Sequence, residues 1–278
     1  LYSIRSALVE QRMLPDGKVK VYEKIEYQMK EPFRGLSRKI PPSRYVEFES
    51  VRVWTEGIET EYTEYLRKDE KGFEVRCWLV PYKSEQRLDP KEHPSFSLHV
   101  SYVAKYVLEN GLDVAQVFRQ FWGLWNAPIA HLQGIFEFPP SVYIRNVYTR
   151  PEIVFKRVGN RFEFSLKDLP PFTYVETRFV TDPAPEIFFS TKNPYLTMKE
   201  IKQIEKKYLL FTYYLTENPE VIRKSIEAGA DVNAQDTDGR TPLMLAARWN
   251  RNPKVIKMLL NAGADKKIKC NNGKKAFD

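Results

Sequence analysis

The residues best able to do chemistry are few and widely separated in this 278-residue chain. Three are histidines, His93, His99 and His131, and two are cysteines, Cys77 and Cys270. No pair of them has the spacing of a metal site or of a redox motif, which depends on ligands placed a few residues apart. We therefore predict no metal and no cofactor.

Catalysis by a nucleophile or by an acid–base pair also lacks a sequence signature. The chain has no Gly-rich phosphate loop and no serine set in a nucleophile turn. Carboxylates are numerous, but on the predicted strands they alternate with basic residues, as they do on a solvated face. A glycosidase-type pair of carboxylates needs no local motif, so that alternative stays open. We predict that the protein is not an enzyme, and we assign no catalytic residues.

The positive charge is concentrated towards the C-terminal end. The whole chain carries +8, and residues 199–278 contain 16 Lys and Arg against 10 Asp and Glu. A basic region can bind an acidic protein, a nucleic acid or an anionic membrane, or it can form an exposed surface that binds none of them. No run of like charges reaches the length of a nucleic-acid-binding tail, so we expect another protein as the partner and no nucleic acid. The abundance of Lys, Arg and Glu is compatible with a thermophile.

The first two thirds of the sequence predict β-structure. Apolar residues alternate with charged ones on both sides of the Pro15-Asp16-Gly17 turn, and "SFSLHVSYVAKYV" keeps a period of two. Many short strands at regular spacing favour an antiparallel β-sandwich. An aromatic cluster in this region would serve as an anchor for a protein, peptide or glycan, or as a plug of the core: Phe118, Phe121, Trp122 and Trp125. A predicted basic loop would contact anionic headgroups or an acidic protein, or be solvated: Arg34, Arg38, Lys39 and Arg44.

Three segments of this region occur in an order that resembles a known family. They are "LPDGKVKVYEKIEYQM", "FRGLSRKIPP" and "FWGLWNAPIAHLQGIFEFPPS", and the resemblance to the soluble domain of the YciQ-like predicted membrane proteins covers roughly residues 1–185. That family is a domain of unknown function. The resemblance implies an extracytoplasmic β-sandwich placed before membrane helices, and it implies no catalytic residues. This sequence departs from the pattern because no membrane helix follows residue 185, although membrane association stays open.

The C-terminal region repeats itself at a spacing of 34 residues, as in Asn218-Pro219 and Asn252-Pro253. The segment "AGADVNAQDTDGRTPLMLAARWNRNPKVIKMLLNAGAD" closely resembles the ankyrin repeat. Thr241 is placed to cap a helix whose first turn holds Pro242, where no N–H is missed. Met244 stands where the ankyrin pattern usually has His, which should replace a polar contact by apolar packing.

We predict a β-sandwich over residues 1–185, a proline-rich linker over 186–196 and an ankyrin-like helical domain over 197–278, an α+β multidomain protein. A capping box of Thr197 and Glu200 should begin the helical part. The predicted helix pairs span residues 209–228 and 242–262. Three repeats are usually needed for stability, so we expect these two to lean on the β-domain and not to fold alone.

The expected function is non-catalytic protein–protein interaction or scaffolding in the cell envelope, outside the cytoplasm, with the cytoplasm as the alternative. A second hypothesis is a β-domain that binds carbohydrate or another envelope polymer, with the repeats as structural support. The repeat turns and inner helices should form the binding side of the helical domain, and aromatic and Arg anchors dominate recognition. The candidate residues on that side are Asp236, Asp238, Arg240, Arg248, Trp249 and Arg251.

Overall fold

The computed structural model describes residues 2–40, 46–67, 73–81, 84–122, 125, 127–171, 173, 175–193, 196–203, 210, 219–236, 238–250 and 252–278. The chain divides into two compact units, one of residues 1–147 and 154–195, the other of residues 148–153 and 196–278. The N-terminal part is built of β-sheets and the C-terminal part contains short helices. The fold class is therefore α+β, as the sequence predicted.

Among the described residues the strands form three sheets. The strand bounds are β1 Tyr2–Met13, β2 Val19–Met29, β3 Gly35–Ile40, β4 Glu47–Glu56, β5 Tyr62–Arg67, β6 Phe73–Trp78, β7 Ser95–Lys105, β8 Leu108–Asn110, β9 Ala115–Trp122, β10 Ile129–Glu137, β11 Ile144–Arg150, β12 Lys156–Val158, β13 Arg161–Leu169, β14 Val175–Thr181 and β15 Ser190–Lys192. The largest sheet has seven strands in the order β12-β13-β10-β1-β2-β7-β4. A five-stranded sheet has the order β11-β14-β9-β8-β15, and a three-stranded sheet has the order β3-β6-β5.

The period of two in the sequence decides which face of the seven-stranded sheet is buried. β1 and β2 form the predicted hairpin, with Met13 opposite Val19 and with Gly17 at a φ of +89° in the turn. The odd-numbered residues of β2 are buried and the even-numbered residues face outward. One face therefore belongs to the core, and the other carries the polar side chains.

Aromatic rings fill the core of the strand-rich unit and link the two larger sheets. Phe121 of β9 contacts Phe164 of β13, with ring centroids 5.0 Å apart. Phe179 of β14 contacts Phe136 of β10 at 4.9 Å. Because these pairs join strands of different sheets, the inward faces of both sheets share one apolar core.

Two predictions about connecting segments differ from the structure. The predicted basic loop contains strand β3, which pairs with β6, so its backbone hydrogen bonds are made within a sheet. The predicted linker contains β15, which pairs in parallel with β8 through Ser190 and Leu108. Pro183 and Pro185 precede β15 along the chain, and they do not prevent its pairing.

The helical unit contains α1 at Pro219–Glu227, α2 at Pro242–Trp249 and α3 at Pro253–Asn261, and residues 198–203 are also helical. The predicted capping box is confirmed, since the Glu200 amide donates to Thr197 Oγ1 at 3.2 Å and the Thr197 amide donates to Glu200 at 2.9 Å. Small and branched residues from all three helices form its core, among them Ile222, Leu243, Ala246, Val255 and Leu259.

Candidate functional site

The turn before α2 is organised around the carboxylate of Asp236. Its Oδ1 accepts from the backbone amides of Asp238 and Arg240, each at 2.9 Å, and its Oδ2 accepts from the Arg240 guanidinium at 2.9 Å. The Asp236 side chain is only 2% exposed. Asp236, predicted as a contact residue, therefore shapes the turn and does not offer its carboxylate to a partner.

Asp238 and Arg240 form the exposed tip of the same turn. The Arg240 guanidinium bridges Asp236 and Asp238, with a distance of 2.8 Å to the Asp238 carboxylate. The Asp238 side chain is 43% exposed and the Arg240 side chain 22%. The turn thus exposes an ion pair of Asp238 and Arg240, and the buried carboxylate of Asp236 fixes the position of both residues.

Two consecutive repeat turns have the same backbone hydrogen bonds and stack on each other. The Asp236 amide donates to the Arg240 carbonyl, and 34 residues later the Cys270 amide donates to the Lys274 carbonyl. The Asn271 amide donates to the Asp238 carbonyl at 2.9 Å, which joins the two turns directly. Repeat turns stacked in this way form one continuous edge.

Two polar side chains outside the predicted contact residues, Gln235 and Asn233, also join the two repeats. Gln235 Nε2 donates to the Gly239 carbonyl at 2.7 Å and to the Lys269 carbonyl at 3.2 Å. Asn233 donates to the Gly263 carbonyl at 3.0 Å and accepts from the Asp265 amide at 2.7 Å. The signal available in sequence was the pair of amide side chains in "VNAQD", which can satisfy backbone groups of a neighbouring turn.

Helix α2 lies behind this edge and is buried along most of its length. Thr241 Oγ1 accepts from the Met244 amide at 3.3 Å, and the Met244 sulfur accepts from the Thr241 amide at 3.4 Å. Met244 therefore keeps a weak polar contact at the helix start, in addition to the apolar packing that we predicted. Arg248 is exposed at the end of the helix. The Trp249 side chain and Arg251, both predicted contact residues, lie outside the described part of the chain.

The predicted aromatic cluster is not one surface. Phe121 is 1% exposed and Trp125 is 6% exposed, while Phe118 is 48% exposed. The alternation of β9 sends Phe118 and Phe121 to opposite faces, because an odd separation reverses the side-chain direction. The alternative role as a shared binding surface is therefore wrong for Phe121 and Trp125, which belong to the core. The Trp122 side chain is outside the described part.

The predicted basic loop likewise contributes to the interior. Arg38 on β3 forms a two-pronged ion pair with Glu23 on β2, at 2.6 and 2.9 Å, and the two side chains are 5% and 3% exposed. The Arg38 guanidinium also lies 5.2 Å from the Trp125 ring centroid. Burial lowers the pKa of Arg38, but the Glu23 carboxylate outweighs it and raises the pKa overall. Arg44 lies outside the described residues.

A second buried arginine adjoins this pair. Arg119 of β9 donates from Nε to Gln11 of β1, and burial lowers its pKa. Burial also raises the pKa of the neighbouring Tyr102 to about 12, so this phenol stays protonated. Strand alternation predicted that the carboxylates face solvent, which is wrong for Glu23. The cluster has the contacts of a structural network, since its cations are held by a carboxylate, an amide and a ring.

The three histidines do not come together as a metal site. Among the described residues, no group of three His, Cys, Asp or Glu side chains could hold a metal ion. His131 Nε2 pairs with Ser165 Oγ at 2.7 Å, and His99 is 5% exposed on the outward face of β7. Cys77 and Cys270 are both free thiols, and burial raises the pKa of Cys77 to about 11, which leaves it protonated and unreactive.

His99 lies at the centre of a hydrogen-bonded chain across three strands. Its Nε2 faces Glu56 at 3.2 Å and its Nδ1 faces the Tyr22 hydroxyl at 2.8 Å. Because a carboxylate only accepts, Nε2 carries the proton, and Nδ1 accepts from Tyr22. Trp54 stacks on the imidazole with centroids 5.0 Å apart, and Lys24 donates to Glu56 at 2.9 Å. Tyr22, Glu56 and Trp54 lie on other strands than His99, so no local spacing in the sequence indicates that they are its partners.

Comparison with protein families identifies both units. The family described as the N-terminal domain of predicted membrane protein DUF2207 matches residues 3–181, and the ankyrin-repeat family described as having many copies matches residues 226–278. The first match covers well over half of the chain, so this chain belongs to the DUF2207 N-terminal domain family and also carries ankyrin repeats. Both resemblances seen in the sequence are confirmed. The DUF2207 family has no assigned function, and among the described residues no helix has the length and apolarity to cross a membrane.

Solved structures resemble the chain only distantly, and no curated protein matches it. An M1 zinc metallopeptidase from Deinococcus radiodurans has 8% identity and a TM-score of 0.37, and a mutant of it bound to a Tyr-Ser-Ala substrate has 9% identity and a TM-score of 0.38. Each likeness covers 64% of this chain and 42% of the peptidase. This chain therefore spans less than half the length of those enzymes, and a likeness so low carries no functional argument.

Proposed function

We propose that this chain is a non-catalytic binding protein in which a β-sandwich is followed along the chain by a short ankyrin-like solenoid that binds another protein. The sandwich corresponds to residues 1–185 and the solenoid to residues 197–278. The observation that carries the proposal is the hydrogen-bonded stack of two repeat turns, with Asn271 bonded to Asp238. A stack of this kind holds exposed side chains at a fixed spacing, and pre-organised groups lose little entropy when a partner binds.

The binding edge in this proposal consists of Asp238, Arg240 and Arg248. The first two side chains are paired and partly exposed, and Arg248 is an exposed cation on the neighbouring helix. Exposed paired charges give orientation and partner choice more than affinity, and a nearby Arg commonly acts as an anchor. The partner should therefore present an acidic group opposite Arg248. Trp249 and Arg251 remain further candidates.

We place the protein at the cell envelope, outside the cytoplasm. The support is membership of a family described as a domain of predicted membrane proteins. Two features support a non-catalytic role: the charges around Glu23 are buried and paired with each other, and the raised pKa of the Cys77 thiol keeps it protonated.

Photo-crosslinking in the source cells tests the binding edge. A chain with a photoreactive phenylalanine in place of Asn272, which is exposed in the following repeat turn and is not part of the edge, should give a protein adduct of one defined mass. Arg248→Glu should lower its yield about tenfold, because it places an anion opposite the acidic group of the partner. The matched control is Lys257→Glu, which makes the same charge change at an exposed position of α3 and should leave the yield unchanged. Equal yields from both variants, at equal thermal stability, would refute the proposed edge.

A further inference from the structure

A groove of about 650 Å³ lies on the outward face of the seven-stranded sheet. The register places Tyr22 of β2 opposite Ser101 of β7, and Ser101 opposite Arg52 of β4, so these side chains form one row across the sheet. Lys20 and Glu10 occupy neighbouring positions in the groove. Its volume lies within the range of small-ligand sites, and its lining is rich in hydroxyl and charged groups.

An irregularity in β4 shapes one wall of this groove. The pairing of β4 with β7 shifts register between Glu49 and Arg52, and Ser50 at the shift has a φ of +56°. Positive φ is uncommon for serine, and bulges of this kind turn neighbouring side chains in a new direction. Ser50 and Arg52 both line the groove, and both are exposed. The irregularity therefore brings a hydroxyl and a guanidinium to the same wall.

The charges of the groove favour an anion. Its lining contains four cations, Arg12, Lys20, Arg52 and Arg161, but only two carboxylates, Glu10 and Glu137. Arg12 and Arg161 lie 3.8 and 3.7 Å from Glu137. Lys20 and Arg52, by contrast, form no ion pair with any residue in the described ranges.

An exposed aromatic ring lies next to Arg52 and Tyr22 on the same face of the sheet. Trp54 follows Arg52 by two positions on β4, on the same face, and is 42% exposed. It stacks on His99 with an interplanar angle of 13°, and Tyr22 stacks on it at 6.2 Å. The hydrogen bonds of His99 to Tyr22 and Glu56 hold the imidazole in place. Trp54 is thus a supported, exposed, flat apolar surface that adjoins the groove through Tyr22, which lines it.

We propose that this groove binds an acidic carbohydrate, one whose sugar rings carry carboxylate or sulfate groups. The Trp54 ring would stack on the C–H face of one sugar, and Arg52 would bind an anionic substituent close to it. Lys20, two rows further along the sheet, would bind the anionic substituent of another sugar of the same polymer. Ser50, Ser101 and Tyr22 would hydrogen-bond the hydroxyls between them. The groove is concave, which favours a segment of a polymer over the flat surface of a lipid bilayer. Its lining is rich in hydroxyl groups, which favours a sugar over a nucleic acid, whose bases stack on aromatic rings. The site is independent of the ankyrin edge proposed above.

Calorimetric titration of the whole chain with tetragalacturonate and with a heparin tetrasaccharide tests this site. At least one of them should bind. Fully methyl-esterified tetragalacturonate, which has lost its negative charges, should bind at least about tenfold more weakly than tetragalacturonate itself. Lys20→Gln combined with Arg52→Gln should weaken binding of the acid about tenfold, because both cations are freely exposed. Trp54→Ala should have an effect of about the same size, while Trp54→Phe should retain most of the binding because it keeps a ring.

The matched control is Lys167→Gln, which removes an exposed cation from β13 of the same sheet outside the groove and should leave affinity unchanged. Equal thermal midpoints show that the variants are folded. The proposal is overturned if neither tetrasaccharide binds, if acid and ester bind alike, or if the double variant binds like the wild type. It is also overturned if phosphatidylglycerol vesicles bind through Lys20 and Arg52 while both tetrasaccharides fail, since the ligand would then be a membrane surface.

Discussion

Glu23 illustrates how the role of a single residue depends on the strand opposite. Glu23 stands between Tyr22 and Lys24 on β2, where successive side chains point to opposite faces of the sheet. This alternation predicts one face exposed to solvent and one face buried in the core. Glu23 lies on the buried face, where the guanidinium of Arg38 on β3 neutralises its carboxylate. A buried carboxylate without such a partner would be costly, so the ion pair makes this strand compatible with the core.

Removing one member of the pair should be far worse than removing both. Arg38→Met should lower the free energy of unfolding by about 3–5 kcal/mol, because Glu23 is left charged and buried. The double variant Glu23→Leu with Arg38→Met should regain most of this loss, since two apolar side chains need no partner. Urea denaturation of the single and double variants measures both quantities.

The matched control for the buried pair is an exposed one. Arg5 lies 3.5 Å from Glu26, with side chains 57% and 34% exposed. Arg5→Met should cost less than about 1 kcal/mol, because water screens this interaction. A loss at Arg38 no greater than that at Arg5 would show that the buried ion pair does not stabilise the fold.

At the level of structural elements, the repeat turn recurs with the same backbone conformation in successive ankyrin repeats. Gly239 and Gly273 occupy equivalent positions 34 residues apart, with φ values of +73° and +77°. Both therefore need a residue that tolerates the left-handed region. They differ in their surroundings, because Gly239 lies against the Asn271 of the following turn and Gly273 has open space.

This difference gives a matched test of stacking between the turns. A Cβ at position 239 would lie 2.9 Å from the Asn271 amide nitrogen and 2.5 Å from its side-chain oxygen, whereas a Cβ at position 273 meets nothing within 4 Å. Gly273→Ala should cost about 1 kcal/mol, from backbone strain alone. Gly239→Ala should cost about 1–3 kcal/mol more, because it separates the two turns.

Thermal unfolding monitored by circular dichroism at the helical wavelength compares the two glycine variants. Hydrogen exchange at the Asn271 amide, which donates to Asp238, reports the contact itself. We expect faster exchange in Gly239→Ala than in Gly273→Ala. Indistinguishable exchange rates and midpoints would mean that stacking of the turns contributes little.

At the scale of the whole molecule, the chain combines one large core with one small core. The strand-rich unit buries aromatic residues from several strands, while the helical unit buries a few small and branched side chains around Leu243 and Val255. Short repeat arrays seldom bury enough apolar surface to offset the entropy of ordering the chain. The stability of the helical unit is therefore expected to be marginal.

We predict that residues 197–278 expressed alone do not fold cooperatively. Circular dichroism should show low helix content and a broad, non-sigmoidal thermal profile, because two repeats are fewer than a stable array needs. The whole 278-residue chain is the control and should show a cooperative transition of its helices. A sigmoidal transition in the fragment alone would contradict this prediction.

Local chemistry in the sequence predicted much of this architecture. The Asp16-Gly17 turn, the capping pair Thr197 and Glu200 and the ankyrin register were readable because each depends on residues close together in the chain. Periodicity likewise predicted which face of β2 is buried. These features are set by backbone geometry and by the spacing of side chains along one element.

Contacts between distant strands were decided only by the tertiary structure. His99 meets Tyr22 from 77 positions away and Glu56 from 43, and Arg119 meets Gln11 from 108. No spacing rule relates such residues, because strand order and register determine which of them share a row. For the same reason the sequence could reveal the ankyrin repeats but not the groove near Trp54, nor the burial of Glu23 and Arg38.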